Sequence, residues 1–292
     1  MKLTHTRAVF LMVAVTLMWG IAGVVTRHLE HAASFEVTFW RSFFTVVSLL
    51  VILPFVQGPG VVFHKLRTGG WPLWLSGICW SIMFTAFMVA MTLASVANVL
   101  VTLAIGPLVT ALFARVALGH RIPGRTWAAI AGAGVGIAYM FGSQKTQGGQ
   151  LTGTLVALCV PFAAAVNWTT TQRSHAQGHQ VDLVPAVLVG AILSSLATLP
   201  LALPFQANMH DLGLLALMGL VQLAIPCVLA VVCARVLKAP EMSLLALLEV
   251  VFGILLVWVG ANEVPAPSVL AGGALVIGAL VVNELVGWRQ SA

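Results

Sequence analysis

The sequence predicts an all-α membrane protein of ten transmembrane helices, built as two inverted five-helix repeats. Three observations predict it. Of the 292 residues, 60% are hydrophobic and only 8% charged, against roughly 25% charged in an ordinary water-soluble domain. The apolar runs are long and continuous and do not alternate with period two, which selects helices over a barrel. Lys and Arg also fall on one side once ten spans are drawn.

The spans follow from the need for about 20 mostly apolar residues per crossing. The first unit, 1–146, supplies 8–26, 36–56, 71–93, 97–118 and 125–142. The second, 147–292, supplies 152–171, 182–203, 211–235, 241–260 and 267–286. The run after Lys2 and Arg7 imitates a signal peptide, but it has no A-x-A site and Trp19-Gly20 interrupts it, so it reads as a retained first span. Eleven basic residues (Lys2, Arg7, Lys65, Arg67, Arg115, Arg121, Arg125, Arg173, Arg235, Lys238, Arg289) lie on one side and two, Arg27 and Lys145, on the other. Both termini are therefore expected in the cytoplasm of a bacterial-type inner membrane. Trp40 and Trp258 fall near the outer interface, and Trp71, Trp74, Trp127 and Trp288 near the inner one.

Charge and cysteine content exclude other classes. The net charge of +6 has no long basic cluster behind it, so it fits anionic headgroups and not nucleic acid. Cys79, Cys159, Cys227 and Cys233 lie in apolar runs without CxxC spacing and read as small buried residues. Asp182 and Asp211 are the only aspartates, and HExxH, GxxxxGK and GxSxG are missing. No enzyme, cofactor or metal site is expected.

The two halves repeat. Phe35–Pro54 aligns with Val181–Pro200, and Gly106–Tyr139 parallels Glu249–Leu280, each of the latter crossing a tight turn, GHRIP or ANEVP. A five-span unit starts and ends on opposite sides, so its second copy runs upside down. Many secondary transporters build two related gates around one central site in this way.

Four stretches carry a family resemblance: LMWGIAGVV with Trp19-Gly20, TFWRSFF with Arg41, ASVANVLVTLAIGPLVTALFARVALGHRI with Pro107, and LLALLEVVFGILLVWVGANEVPAPSVLAGGALVIGAL with Glu249 and Glu263. In this order they resemble the EamA-type drug/metabolite transporter superfamily, and within it most of all the YddG-type aromatic amino acid exporters. The sequence departs from the family pattern at Val250, where Pro often stands, and at His120, where Glu often stands. The resemblance implies a 5+5 inverted fold that exports small metabolites, often amino acids, by alternating access.

The candidate site is read from polar and aromatic residues inside spans. Glu249, about 12 Å into its helix, is too costly to face lipid. It is left to bind a substrate ammonium, carry a proton, or pack as a protonated group. Arg41, about 8 Å below the outer end of its helix, either snorkels as an anchor or turns inward to grip a carboxylate or lock the outer gate. Trp19 and Trp80 either wall a cavity with Met83, Phe84 and Phe87 or pack in the core. Trp168 reads as a belt residue or a cavity wall. Asn98, Thr102, Asn167, Thr171 and Gln222 are uncharged, which suits a zwitterionic or neutral solute. With Arg41 the only basic residue in a span, sugar phosphates and nucleotide sugars are disfavoured. Pro107, Pro161 and Pro226 either hinge the gates or shape packing. The glycines of the fifth and tenth spans (Gly132, Gly134, Gly136; Gly272, Gly273, Gly278) read as close packing or a homodimer contact. Competing readings are export of nucleobases or polyamines, a channel, and a multispan membrane enzyme or assembly factor.

Overall fold

A computed structural model describes residues 3–32, 34–58, 60–118, 124–142, 148–176, 183–237, 242 and 245–291. His120, Arg121, Lys145, Asp182 and Lys238 lie outside the described residues. Within them the protein is helical, with no strands.

The first half contains α1 (His5–Thr26), α2 (Ser34–Gln57), α3 (Val61–Thr68), α4 (Gly70–Leu93), α5 (Val96–Leu103), α6 (Gly106–Leu118) and α7 (Gly124–Gly142). The second contains α8 (Gly148–Ala176), α9 (Val184–Ala202), α10 (Met209–Leu217), α11 (Ile225–Cys233), α12 (Leu248–Ala261) and α13 (Pro267–Ser291). Seven helical runs are long and apolar enough to cross a membrane: α1, α2, α4, the α5–α6 run, α8, α9 and the run from α10 to α11. Shorter apolar stretches lie in α7, α12 and α13. The chain is a multi-pass membrane protein. Phe55, Phe10 and Trp71 keep more than two thirds of their surface exposed, a surface that suits lipid.

Local chemistry sets the helix ends. Thr4, Ser95 and Asn208 cap α1, α5 and α10, each side chain accepting the N–H of the residue three positions on. Asn262 closes α12 in the left-handed region at φ 52°, which Asn tolerates.

The structure corrects the sequence reading at three elements. The span expected at 97–118 is broken at Ala104–Ile105, just before Gly106-Pro107. Proline supplies no N–H for the carbonyl four residues back and biases the preceding residue away from helix. The span expected at 211–235 contains a π-helical turn, Met218–Ala224, directly ahead of Pro226. The wider turn moves the Gln222 carbonyl off the proline ring, where an α-turn would drive the two together. The connection after α2 is not structureless. It holds α3, a short amphipathic helix with Val62 buried, Phe63 exposed, and Lys65 donating to the Gln57 side chain.

Packing brings α4 against α8 and α9, α2 against α9 and the π turn, α1 against α12 and α11, α6 against α8, α5 against α12, and α7 against α13. Glycines permit the tightest crossings. A Cβ on Gly190 of α9 would meet the Trp80 Cβ of α4 at 2.3 Å, and one on Gly219 would meet the Phe44 Cβ of α2 at 2.6 Å. Gly136 of α7 would meet the Gly272 carbonyl of α13 at 2.8 Å. At that crossing the glycine faces of α7 and α13 meet each other inside one chain. Three cysteines are buried, but Cys159 is exposed on α8, against expectation. An apolar run does not say which side of its helix faces lipid.

Candidate functional site

The interior of the bundle holds a cavity with about 920 Å³ of empty space, its open mouth included. That is the size range of small-molecule sites. Five elements converge on it. α1 contributes Trp19, α2 Arg41, α4 Trp80, Met83, Phe84 and Phe87, α8 Pro161 and Trp168, and the π turn Gln222. Glu249 enters from α12, and Pro107 from the start of α6.

The geometry explains why these side chains point inward. Arg41 is fully buried, because its face of α2 packs on α4 and the π turn and not on lipid. Its Nη2 donates to the Phe84 carbonyl at 2.6 Å and its Nη1 to Gln222 Oε1 at 3.2 Å. The guanidinium lies 5.8 Å from the Phe87 ring centroid, close enough for a cation–π contact. Of the two roles the sequence left for Arg41, the exposed anchor is removed. Trp80 meets Trp168 edge-on at 5.9 Å and Phe84 at 5.4 Å, forming an aromatic wall. The Trp19 side chain hydrogen-bonds the Cys227 thiol.

Two buried donors on this wall have no partner: Arg41 Nε and Trp80 Nε1. An unpaired buried N–H costs about 1–3 kcal/mol, so such donors are expected to meet a ligand or water. Among the described residues no ion pair joins Arg41 to Glu249, although both line the cavity. The break before Gly106 adds to the opening, since a Cβ there would meet nothing within 4 Å.

Trp19, Trp80, Met83, Phe84, Trp168, Gln222 and Glu249 thus share one space with Arg41, Pro107 and Pro161. Asn98, Thr102, Asn167 and Pro226 do not line it. Asn98 and Thr102 are buried in α5, where Thr102 donates to the Asn98 carbonyl. Asn167 accepts from Ser76 at 2.6 Å across the α4–α8 contact. Thr171 donates to the Asn167 carbonyl in the same helix. Sequence reasoning missed Leu100, Leu103, Thr110 and Cys227, which complete the lining. Apolar residues in an apolar helix carry no signal that separates cavity from core.

Comparison with known proteins agrees with a transport fold. Residues 6–142 match the EamA-like transporter family, a family of transporters and not of enzymes. No curated protein matches the chain. Twenty-four solved chains match. One crystal structure is similar at a TM-score of 0.67 and 19% identity, over 98% of this chain and 99% of that one. At that identity the likeness carries the fold alone.

Proposed function

We propose that this chain is a secondary transporter of the drug/metabolite type that exports a small zwitterionic solute, an amino acid with an aromatic or other apolar side chain, across a bacterial-type inner membrane. The observation that carries the reading is the cavity itself. A cation with a free N–H, an indole N–H without a partner and a carboxylate all face one aromatic-walled space. Arg41 Nε and Trp80 Nε1 suit a carboxylate, Glu249 suits an ammonium, and the wall of Trp80, Trp168 and Phe84 suits an apolar side chain.

The cycle is alternating access between two inverted halves, with ten spans and both termini in the cytoplasm. Helix pairing supports the inversion. Exchanging each span for its counterpart five spans away leaves the pairing pattern unchanged. Thus α4 on α9 becomes the α10–α11 run on α2, α1 on α12 becomes α8 on α6, and α2 on α9, α5 on α12 and α7 on α13 map onto themselves. Single residues follow. The repeat that aligns Phe35 with Val181 also aligns Phe44 with Gly190, and Phe44 meets Gly219 while Gly190 meets Gly77.

Counterflow into proteoliposomes against a panel of amino acids, polyamines and nucleobases tests the reading. Saturable exchange of apolar amino acids is the expected result. Signal from another class alone would refute the substrate, and unsaturable flux would favour a channel.

A further inference from the structure

One end of the bundle gathers four connections: α1–α2, α4–α5, α9–α10 and α12–α13. Three carboxylates join them. Asp211, fully buried in the first turn of α10, accepts the backbone N–H groups of Glu30, His31 and Ala32, each at 2.9 Å. Glu36, fully buried in the first turn of α2, accepts those of Gln206 and Ala207 at 3.0 and 2.9 Å. The two are reciprocal, each helix start holding the loop that leads into the other. Glu263 pairs with Arg27 Nε at 2.6 Å and accepts the Val96 N–H at 3.0 Å. Arg27 also donates to the carbonyls of Met91 and Ala94. Every contact to a carboxylate in this set crosses from residues 1–146 to residues 147–292.

Beneath the clasp lies an apolar plug that includes Val37, Met91, Val96, Leu215 and Met218, all buried. Arg41 and the cavity begin about 7.5 Å along α2 from Glu36. The clasp therefore closes off one side of the cavity and joins the two halves.

We propose that Glu36, Asp211 and Glu263 are the latch of the gate on this side, and that the cavity reaches this side only when their donors are released together. The proposal rests on the transport reading above, yet accessibility tests it without any solute. Cys227 lines the cavity and serves as the reporter. A membrane-impermeant cationic methanethiosulfonate is applied to right-side-out and inside-out vesicles, and the Cys227 peptide is quantified by mass spectrometry. A Glu30→Cys variant, exposed beside the clasp, identifies which vesicles present the latch face.

In the unsubstituted chain Cys227 labels from the face opposite the latch. An Asp211→Asn/Glu263→Gln variant, which turns amide NH₂ groups toward N–H donors, is expected to raise labelling from the latch face about 10-fold or more. An Arg27→Cys/Glu263→Cys variant, oxidised, is expected to abolish latch-face labelling and transport, with both restored by reductant. Unchanged latch-face labelling in the amide variant, or full transport through the oxidised pair, overturns the latch. Shifted labelling in a protein that exchanges no solute retains the latch and refutes the transport reading instead.

Discussion

Arg41→Met separates binding from folding, because the two readings of this residue predict opposite effects on stability. If Arg41 were structural, its loss would leave its acceptors unpaired. Only one acceptor is at stake, however. The Phe84 carbonyl lies inside α4 and keeps its helical partner, while Gln222 Oε1 borders the cavity, where water can reach it. Against about 1–3 kcal/mol for that acceptor stands the several kcal/mol spent desolvating a fully buried guanidinium. Methionine has a similar length and fits beside Phe87. The expected stability of the variant is therefore unchanged or higher, by up to ~4 kcal/mol. Binding should suffer. A hydrogen bond from a charged donor contributes about 1.5–3 kcal/mol, or roughly 10- to 140-fold in Kd. The assay is thermal unfolding in detergent with and without the solute that counterflow identifies. At 100 times Kd the solute adds about 2.7 kcal/mol to the unsubstituted protein. A variant 100-fold weaker gains only about 0.4 kcal/mol at that concentration. An Arg41→Met protein that melts several degrees lower yet keeps its full solute shift would refute the argument.

Other substitutions probe the remaining parts. Glu249→Gln is expected to fold normally and to weaken solute exchange; normal transport with an unchanged pH profile would remove Glu249 from both binding and proton coupling. Gly190→Val should destabilise by about 1–3 kcal/mol, because its Cβ would sit 2.3 Å from the Trp80 Cβ, which is fixed to α4. Gly106→Ala, with nothing within 4 Å, should leave the melting temperature alone, and equal losses in both glycine variants would contradict the packing described. Pro226→Ala removes the reason for the π turn, and reversion to α-helix would rotate Gln222 by about 100° relative to the residues after it. Reduced exchange with unchanged melting is expected, and undiminished exchange would dissociate the π turn from the site.

The residues legible in the sequence were those with no cheap alternative in lipid. Trp19, Trp80 and Glu249 each carry a group that costs too much against acyl chains, and all three border the cavity. Asn98, Thr102 and Asn167 misled because a buried polar group has other solutions. Thr102 donates within its own helix, and Asn167 is satisfied by Ser76 on the facing one. Arg41 stayed ambiguous because snorkelling depends on which face of α2 meets lipid, which is decided by tertiary packing. Three helical irregularities had local causes. Two, at Pro107 and Pro226, were visible as prolines, but the sequence did not distinguish a break from a π turn. Asp211 was visible as a helix-end acid and Glu36 not at all as a site. Their partners are backbone N–H groups, which every residue but proline carries and which therefore leave no pattern to read.

The placement of the acids constrains how strong the closed end can be. Among residues whose side chains are described, Glu30, Glu36, Asp211 and Glu263 sit at one end and Glu249 alone faces the cavity. A carboxylate accepts several N–H groups at once, so one residue can hold a whole loop turn, and at Asp211 three successive residues are held. If each carboxylate contributed the full worth of its charged hydrogen bonds, about 1.5–3 kcal/mol apiece, the seal would never open on a useful timescale. Water competes for the same donors once the end separates, so the net preference must be far smaller than that sum. A solute can move a two-state equilibrium from 1:99 to 99:1 only by binding one state about 5.5 kcal/mol better than the other, and a carrier that did so would hold its cargo. The latch must therefore bias the closed state by only a few kcal/mol in total. That is why loss of two of its three acids is expected to shift accessibility measurably without unfolding the bundle.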